Sequence, residues 1–174
     1  MGISINKVLP RNAYDYTLCH ISCWRSAYKG IVPDEVFDNM SAEIEQRVER
    51  CKKALNDPDY EFYYAEYENR MVGRLIIGKS RDQDKPDAGE IQAIYLIEEF
   101  WDKGYGKEML NFAFEQLKNM GFNEIILWVL EENKRGRRFY ERNGFVLDGA
   151  KKEMEFGKTL VCLRYVLNLR KENL

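Results

Sequence analysis

Residues Gly89 to Gly121 read GEIQAIYLIEEFWDKGYGKEMLNFAFEQLKNMG, and the rest of the chain is organised around them. Glu90 to Ile97 is rich in Ile, Leu, Ala and Tyr with few charges, a composition that suits a strand buried on both faces. Farther on, Met109, Leu110, Phe112, Ala113, Phe114, Leu117 and Met120 recur at helical spacing, and Gly121 fits a C-terminal cap. Between the two lies Lys103-Gly104-Tyr105-Gly106-Lys107, a glycine turn that opens directly into the helix. A strand, a glycine turn and a helix N-terminus together make an anion site, because the first helical N–H groups lack carbonyl partners and glycine lets a ligand approach the backbone. A lone Gly-x-Gly also reads as an ordinary left-handed turn, so the turn by itself is a weak signal. The dinucleotide fingerprint needs a glycine where Met109 stands, and a Walker-type loop needs Ser or Thr where Glu108 follows Lys107. The turn therefore asks for a phosphate-bearing ligand through neither of these motifs.

These residues resemble the acyl-CoA-binding motif of the GNAT superfamily of N-acyltransferases, whose loop reads Gln/Arg-x-x-Gly-x-Gly/Ala after the fourth strand. Here the loop is Trp101-Asp102-Lys103-Gly104-Tyr105-Gly106, with both glycines matched and Trp101 in place of the usual Gln or Arg. A second block, Asn133 to Phe145 (NKRGRRFYERNGF), is similar to the family's Asn-x-x-Ala-x-x-Phe-Tyr-x-x-x-Gly-Phe, with Gly136 where Ala is usual. The resemblance covers roughly residues 60 to 148, and Trp24 to Pro33 (WRSAYKGIVP) also looks like one subgroup of these enzymes.

The chain in order supports an α/β (α+β layered) fold in one domain, residues 1–174. Ile3 to Leu9 reads as a short strand stopped by Pro10, and Asn12 or Asp15 can cap a helix through about Tyr28. Pro33 suits the first position of a second helix, and Ser41 the cap of a third that ends before Pro58. Tyr60–Tyr67 and Met71–Lys79 form a hairpin, with Gly73 permitting a bulge. Ser80 to Ala88 is charged and is expected to be a disordered tip. After the central stretch come a strand from Phe122 to Leu130, a helix from Asn133 to Asn143, a strand starting at Phe145, and a last strand from Thr159 to Leu169. The resemblance implies a mixed, mostly antiparallel seven-strand sheet whose fourth and fifth strands splay apart, flanked by four to five helices.

Composition excludes several function classes. A formal net charge of -2 argues against a nucleic-acid or acidic-membrane partner held by a broad basic face. No segment approaches a membrane span, the N-terminus lacks the apolar run of a signal peptide, and Asn6 breaks the myristoylation pattern. Cys19, Cys23, Cys51 and Cys162 sit in periodic apolar stretches and fit a reducing cytoplasm. Cys19, His20 and Cys23 supply at most three ligands, and neighbours on a helix diverge, so no metal is expected.

No Ser/His/Asp or Cys/His set recommends itself, and His20, the single histidine, reads as structural, so direct transfer without an acyl-enzyme is the simpler chemistry. The resemblance implies acetyl-CoA as co-substrate and a primary amine as acceptor. Glu90, eleven residues before Trp101, matches the offset of the catalytic glutamate in one branch of the family, and a solvated charge at a strand start is its plain alternative. Gln92 shares its face by the two-residue period and could orient a water. Tyr140 matches the family's tyrosine and would donate to the leaving thiolate, since a phenol stays protonated at neutral pH. Backbone groups of Ile94 and Leu96 would pair with pantetheine, Trp101 and Asp102 would border the cofactor, and the N–H groups around Lys103, Gly104, Tyr105, Gly106 and Lys107 would receive the pyrophosphate. Asn133 would contact the pantetheine or hold a helix start. Arg135, Arg138 and Arg142 would meet the 3′-phosphate or form a solvated basic face. Trp24 and Tyr28 would contact the acceptor, a small-molecule amine or amino acid derivative. A protein N-terminus or lysine is the second reading, and a CoA-binding sensor without turnover the third. Either a monomer or a homodimer is compatible with the sequence.

Overall fold

The computed structural model describes residues 2–169. Seven strands form one mixed sheet in the order β1-β2-β3-β4-β5-β7-β6. They are β1 (Ser4–Lys7), β2 (Tyr60–Tyr67), β3 (Arg70–Lys79), β4 (Gly89–Leu96), β5 (Glu124–Leu130), β6 (Val146–Glu155) and β7 (Thr159–Asn168). The helices are α1 (Ala13–Tyr28), α2 (Asp34–Ala42), α3 (Ile44–Ala54), α4 (Tyr105–Asn119) and α5 (Lys134–Arg142). Neighbouring strands are antiparallel except β4 and β5, which run parallel. That pair is also the shortest: Gly89 opposes Ile125, Glu90 opposes Ile126, and the strands then diverge. The expected splay between the fourth and fifth strands is therefore present.

Alternation along β3 divides the core into two layers. Leu75 and Ile77 cluster with Met109, Leu110 and Leu117 of α4, whereas Ile76 joins Tyr16 of α1. Each such buried side chain contributes roughly 1.5–3 kcal/mol relative to exposure. The exit of α4 follows its sequence signal: Gly121 has φ +93°, its N–H bonds to the Lys118 carbonyl, and the Phe122 N–H bonds to that of Leu117. The β2–β3 turn is tighter than expected, with Glu68 and Asn69 both at positive φ (48° and 61°), a conformation matched to the twist of a two-residue hairpin. Beside Gly73 the register shifts, as anticipated there.

Three local expectations are corrected. Ser41 does not cap α3: it lies inside α2, where its Oγ donates to the Phe37 carbonyl at 2.9 Å, and α3 starts only after Glu43. Asn12 turns backward, its Oδ1 accepting from the Leu9 N–H at 3.0 Å, so it closes the turn ahead of α1 rather than the helix itself.

The third correction concerns Ser80 to Ala88, which is strapped rather than loose. Arg164, on β7 and only 6% exposed at its side chain, donates to Asp82, Asp84 and Asp148 at 2.6 to 2.8 Å. The Trp128 indole N–H donates to Asp82 at 2.9 Å, and Lys85 pairs with Glu124 at 2.9 Å. A buried guanidinium needs counter-charge, and the loop's aspartates supply it.

Candidate active site

A cavity of about 540 Å³ occupies the splay. Its β4 wall is shaped by a bulge: Ile76 opposes Ala93 and Ile77 opposes Ile91, leaving Gln92 without a partner on β3. Gln92 lines the cavity together with its neighbours from Ile91 to Leu96, whereas Glu90, still paired opposite Ile126 at the root of the splay, does not. Glu90 is 1% exposed, and its carboxylate accepts from the Arg81 backbone N–H (3.0 Å), Nε (3.1 Å) and Nη2 (2.6 Å). The structure thus keeps the expected base out of the cavity and commits both its oxygens to Arg81.

One end of the cavity is the entry to α4. Gly104 there has φ +86° with open space beside it, so glycine is required for conformation rather than for room. Gly106 has an ordinary φ, and a Cβ on it would meet Phe139 at 3.5 Å, an ordinary contact. Protein packing alone therefore does not demand glycine at 106. The N–H groups of Lys107 and Glu108 bond to the Gly104 carbonyl, so Lys107 faces the cavity through its side chain.

Trp101 acts as a brace. Its indole N–H donates to the Leu96 carbonyl at 2.8 Å, and the Arg135 guanidinium lies 4.4 Å over its ring while pairing with Asp102 at 2.8 Å. The loop is thereby tied to the first turn of α5. Asn133 caps that helix, accepting from the Gly136 N–H at 2.9 Å. A Cβ at 136 would lie 2.7 Å from the Asn133 amide nitrogen, so alanine there would need the Asn133 side chain to shift. Of the two roles expected of Asn133, holding the helix start is the one its side chain performs here.

At the other end stand phenols. Tyr140 lines the cavity, packed edge-on against Phe139 and Phe145, and burial with the nearby Tyr95 pushes its hydroxyl well above the ordinary phenol range. Tyr28 and Tyr95 also line it, their hydroxyls 2.7 Å apart. Burial raises both, so each stays protonated near neutral pH. Trp24 is not part of the lining: its ring packs edge-on against His20, Tyr28 and Phe156, a layer behind. Lys103 sits over Phe100 at 5.2 Å, and Tyr105 is tilted against Phe100 and Tyr67, both outside the lining.

The structure brings together Tyr28, Ile94, Leu96, Trp101, Asp102, Gly104, Gly106, Lys107, Asn133 and Tyr140 around one space, along with Arg135, Arg138 and Arg142. Tyr95 and Trp128 join them without having been singled out, because a tyrosine in a buried strand or a tryptophan in the next one reads as core. Among the described residues no three His, Cys, Asp or Glu side chains converge as metal ligands; Cys19 and Cys23 sit 3.8 Å apart, buried under α1. Among these residues, too, no helix is long and apolar enough to cross a membrane.

Comparison with known proteins agrees with this geometry. A sequence model of the acetyltransferase (GNAT) family matches residues 22–145. A protein described as a probable N-acetyltransferase of Mycobacterium tuberculosis is 28% identical over 148 residues, covering 85% of this chain and 82% of that one. Spermidine N(1)-acetyltransferase of Thermoplasma acidophilum is 26% identical over 132 residues, 72% of this chain and 76% of that one. Among solved structures, the PaiA N-acetyltransferase of Thermoplasma acidophilum in complex with coenzyme A superposes with a TM-score of 0.74 at 21% identity, covering 97% of this chain and 99% of that one.

Proposed function

The chain belongs to the GNAT acetyltransferase family, and on that premise we propose that it moves an acetyl group from acetyl-CoA directly to a small-molecule primary amine. The observation that carries this reading is one cavity lined both by the entry to α4 and by Tyr140. The residues fit an acyl-CoA: β4 leaves its edge unpaired by β5 past Glu90, and the αL turn at Gly104 sets Gly104, Gly106 and Lys107 against the same space. When bound, the co-substrate supplies a thioester carbonyl as electrophile.

The chain's own residues do the rest. Backbone groups of Ile94 and the N–H of Leu96, whose carbonyl is taken by Trp101, hold the pantetheine amides along the β4 edge that β5 leaves. The donors opening α4, with the Lys107 side chain beside them, receive the pyrophosphate. Tyr140, kept protonated by burial, gives its proton to the departing sulfur. Glu90 in this reading braces the acidic loop through Arg81 rather than taking a proton at the cavity.

Behind Tyr28 the β6–β7 turn is seated on the first two helices: Phe156 packs on Trp24, with ring centroids 5.2 Å apart, and a Cβ on Gly157 would lie 2.8 Å from Val36. Release of free thiol from acetyl-CoA across a panel of small amines, polyamines and peptides tests the reading. Turnover with small amines or polyamines is expected; turnover with peptides alone would move the acceptor to a protein terminus or lysine, and CoA binding without turnover would make the protein a sensor.

A further inference from the structure

Tyr28 and Tyr95 form the best-defined polar element at the acceptor end of the cavity, and the mechanism above leaves them unused. Tyr28 ends α1 and Tyr95 lies on β4 past the bulge, so two elements far apart in sequence converge to set the hydroxyls 2.7 Å apart. The rings meet edge-on with centroids 6.0 Å apart, and Trp24 packs edge-on behind Tyr28, which fixes both rings. One hydrogen is shared between the two oxygens; the pair retains lone pairs and a second O–H for another partner.

The charges around this end are just as informative. Among the described residues the only carboxylate lining the cavity is that of Asp102, in the loop before α4, where Arg135 pairs with it. Lys107, Arg138 and Arg142 line the cavity as well and are cations. Toward the phenol end, Trp128 of β5 presents its ring, and its N–H holds Asp82, which Arg164 also binds. Lys152 of β6 lies 4.0 Å over the Trp128 ring, and Glu90 at the start of β4 is taken by Arg81. Among the described residues no carboxylate lining the cavity is left to face an ammonium beside Tyr28 and Tyr95. Removing an ammonium from water without counter-charge is strongly unfavourable, whereas an uncharged amine needs only a hydrogen-bond acceptor.

We propose that the Tyr28–Tyr95 hydroxyl pair receives the acceptor nitrogen, and that it takes the amine in its uncharged form. An N–H donated to the Tyr95 oxygen leaves the nitrogen lone pair free for the carbonyl carbon. The N–C bond forms as the C–S bond breaks. Tyr140 hands its proton to sulfur and is replenished by the proton that nitrogen sheds, so no enzyme base is consumed. Tyr28, acting through Tyr95, is a positioning residue. The acceptor class that follows is the weakly basic amine, whose uncharged fraction near neutral pH is far larger than that of an alkylamine. This inference rests on the acetyl-transfer reading.

The test compares kcat/KM from pH 6 to 9 for two acceptors, an amino acid amide titrating at about 8 and an alkylamine titrating at about 10. Expected is a rise of about tenfold per pH unit below each acceptor's own pKa, so that the amide profile levels off within the range and the alkylamine profile does not. A shared inflection near pH 7 with both acceptors would reveal an enzyme base and overturn the inference while leaving acetyl transfer intact. Tyr95→Phe should lower kcat by about tenfold or more with CoA affinity unchanged, and adding Tyr28→Phe should lower it little further, since the two act as a unit. Parent-like activity of Tyr95→Phe would also overturn it. Absence of thiol release with every amine, CoA binding being retained, would remove the acetyl-transfer reading and this inference together.

Discussion

Arg81 grips Glu90 through both carboxylate oxygens, Nη2 to Oε1 at 2.6 Å and Nε to Oε2 at 3.1 Å, at the last point where β4 and β5 still pair. A charge so placed holds the acidic loop to the root of the splay. Glu90→Gln is accordingly expected to leave the ratio of variant to parent kcat/KM near one and flat from pH 6 to 9. Its effect should appear in chemical denaturation, as a loss of about 1–3 kcal/mol. That is less than for a fully buried pair, because the Arg81 side chain is 53% exposed. A rate loss confined to the neutral range and recovered at high pH would restore Glu90 as the base.

Tyr140→Phe removes one hydroxyl and keeps the ring packed on Phe139 and Phe145. If that hydroxyl protonates sulfur, kcat should fall by roughly 10²–10⁴-fold while calorimetric CoA affinity holds. Activity within a factor of two of the parent would leave Tyr140 a packing residue.

Gly106→Val separates ligand approach from protein packing. The position has an ordinary φ and room for a Cβ, so the fold should persist by circular dichroism. The branched side chain would stand where a phosphate must come close to the backbone, and CoA should bind about tenfold or more weakly. Unchanged affinity in the folded variant would move the pyrophosphate elsewhere.

His20 offers a pH test of stability. Burial, and then the charges of Arg74 and Arg47, hold its imidazole well below the ordinary value. The unfolded chain therefore takes up a proton at about pH 6.5 that the folded chain refuses. The stability that neutral His20 contributes is fully present above that value and is lost progressively as pH falls below it, toward the depressed folded value. Urea titrations of parent and His20→Gln between pH 5 and 7.5 should show the parent losing stability faster on acidification. Parallel curves would mean that the imidazole titrates normally in the fold.

Much of this architecture was legible in the chain. Alternation and composition located the strands, Gly121 ended α4 as a left-handed cap, and the turn at Gly104–Gly106 marked the entry to α4 that lines the cavity, because each of these signals is carried by residues adjacent in sequence. The misreadings share a different origin. Ser80 to Ala88 looked loose because its counter-ions, Glu124 and above all Arg164, lie farther along the chain, and composition cannot reveal a partner that only folding brings near. Ser41 was misassigned because a hydroxyl can bond back into its own helix as readily as it caps the next.

The site divides along the same line. Sequence by itself determined which residues could carry the chemistry: the glycine turn, Asn133 and Tyr140 stand in motifs whose spacing reflects local backbone geometry. Tertiary structure alone decided which of them share a space. The strands pair as far as Glu90, which stays outside the cavity that opens beyond it, while Gln92, bulged out of the β3 register, lines that cavity. The packing of α1 on the sheet brings Tyr28 to within 2.7 Å of Tyr95, a residue that nothing local distinguishes from the core around it. A strand's period is fixed by its own backbone, but a bulge depends on how it pairs with its neighbour, and a hydroxyl pair depends on how helix and sheet pack.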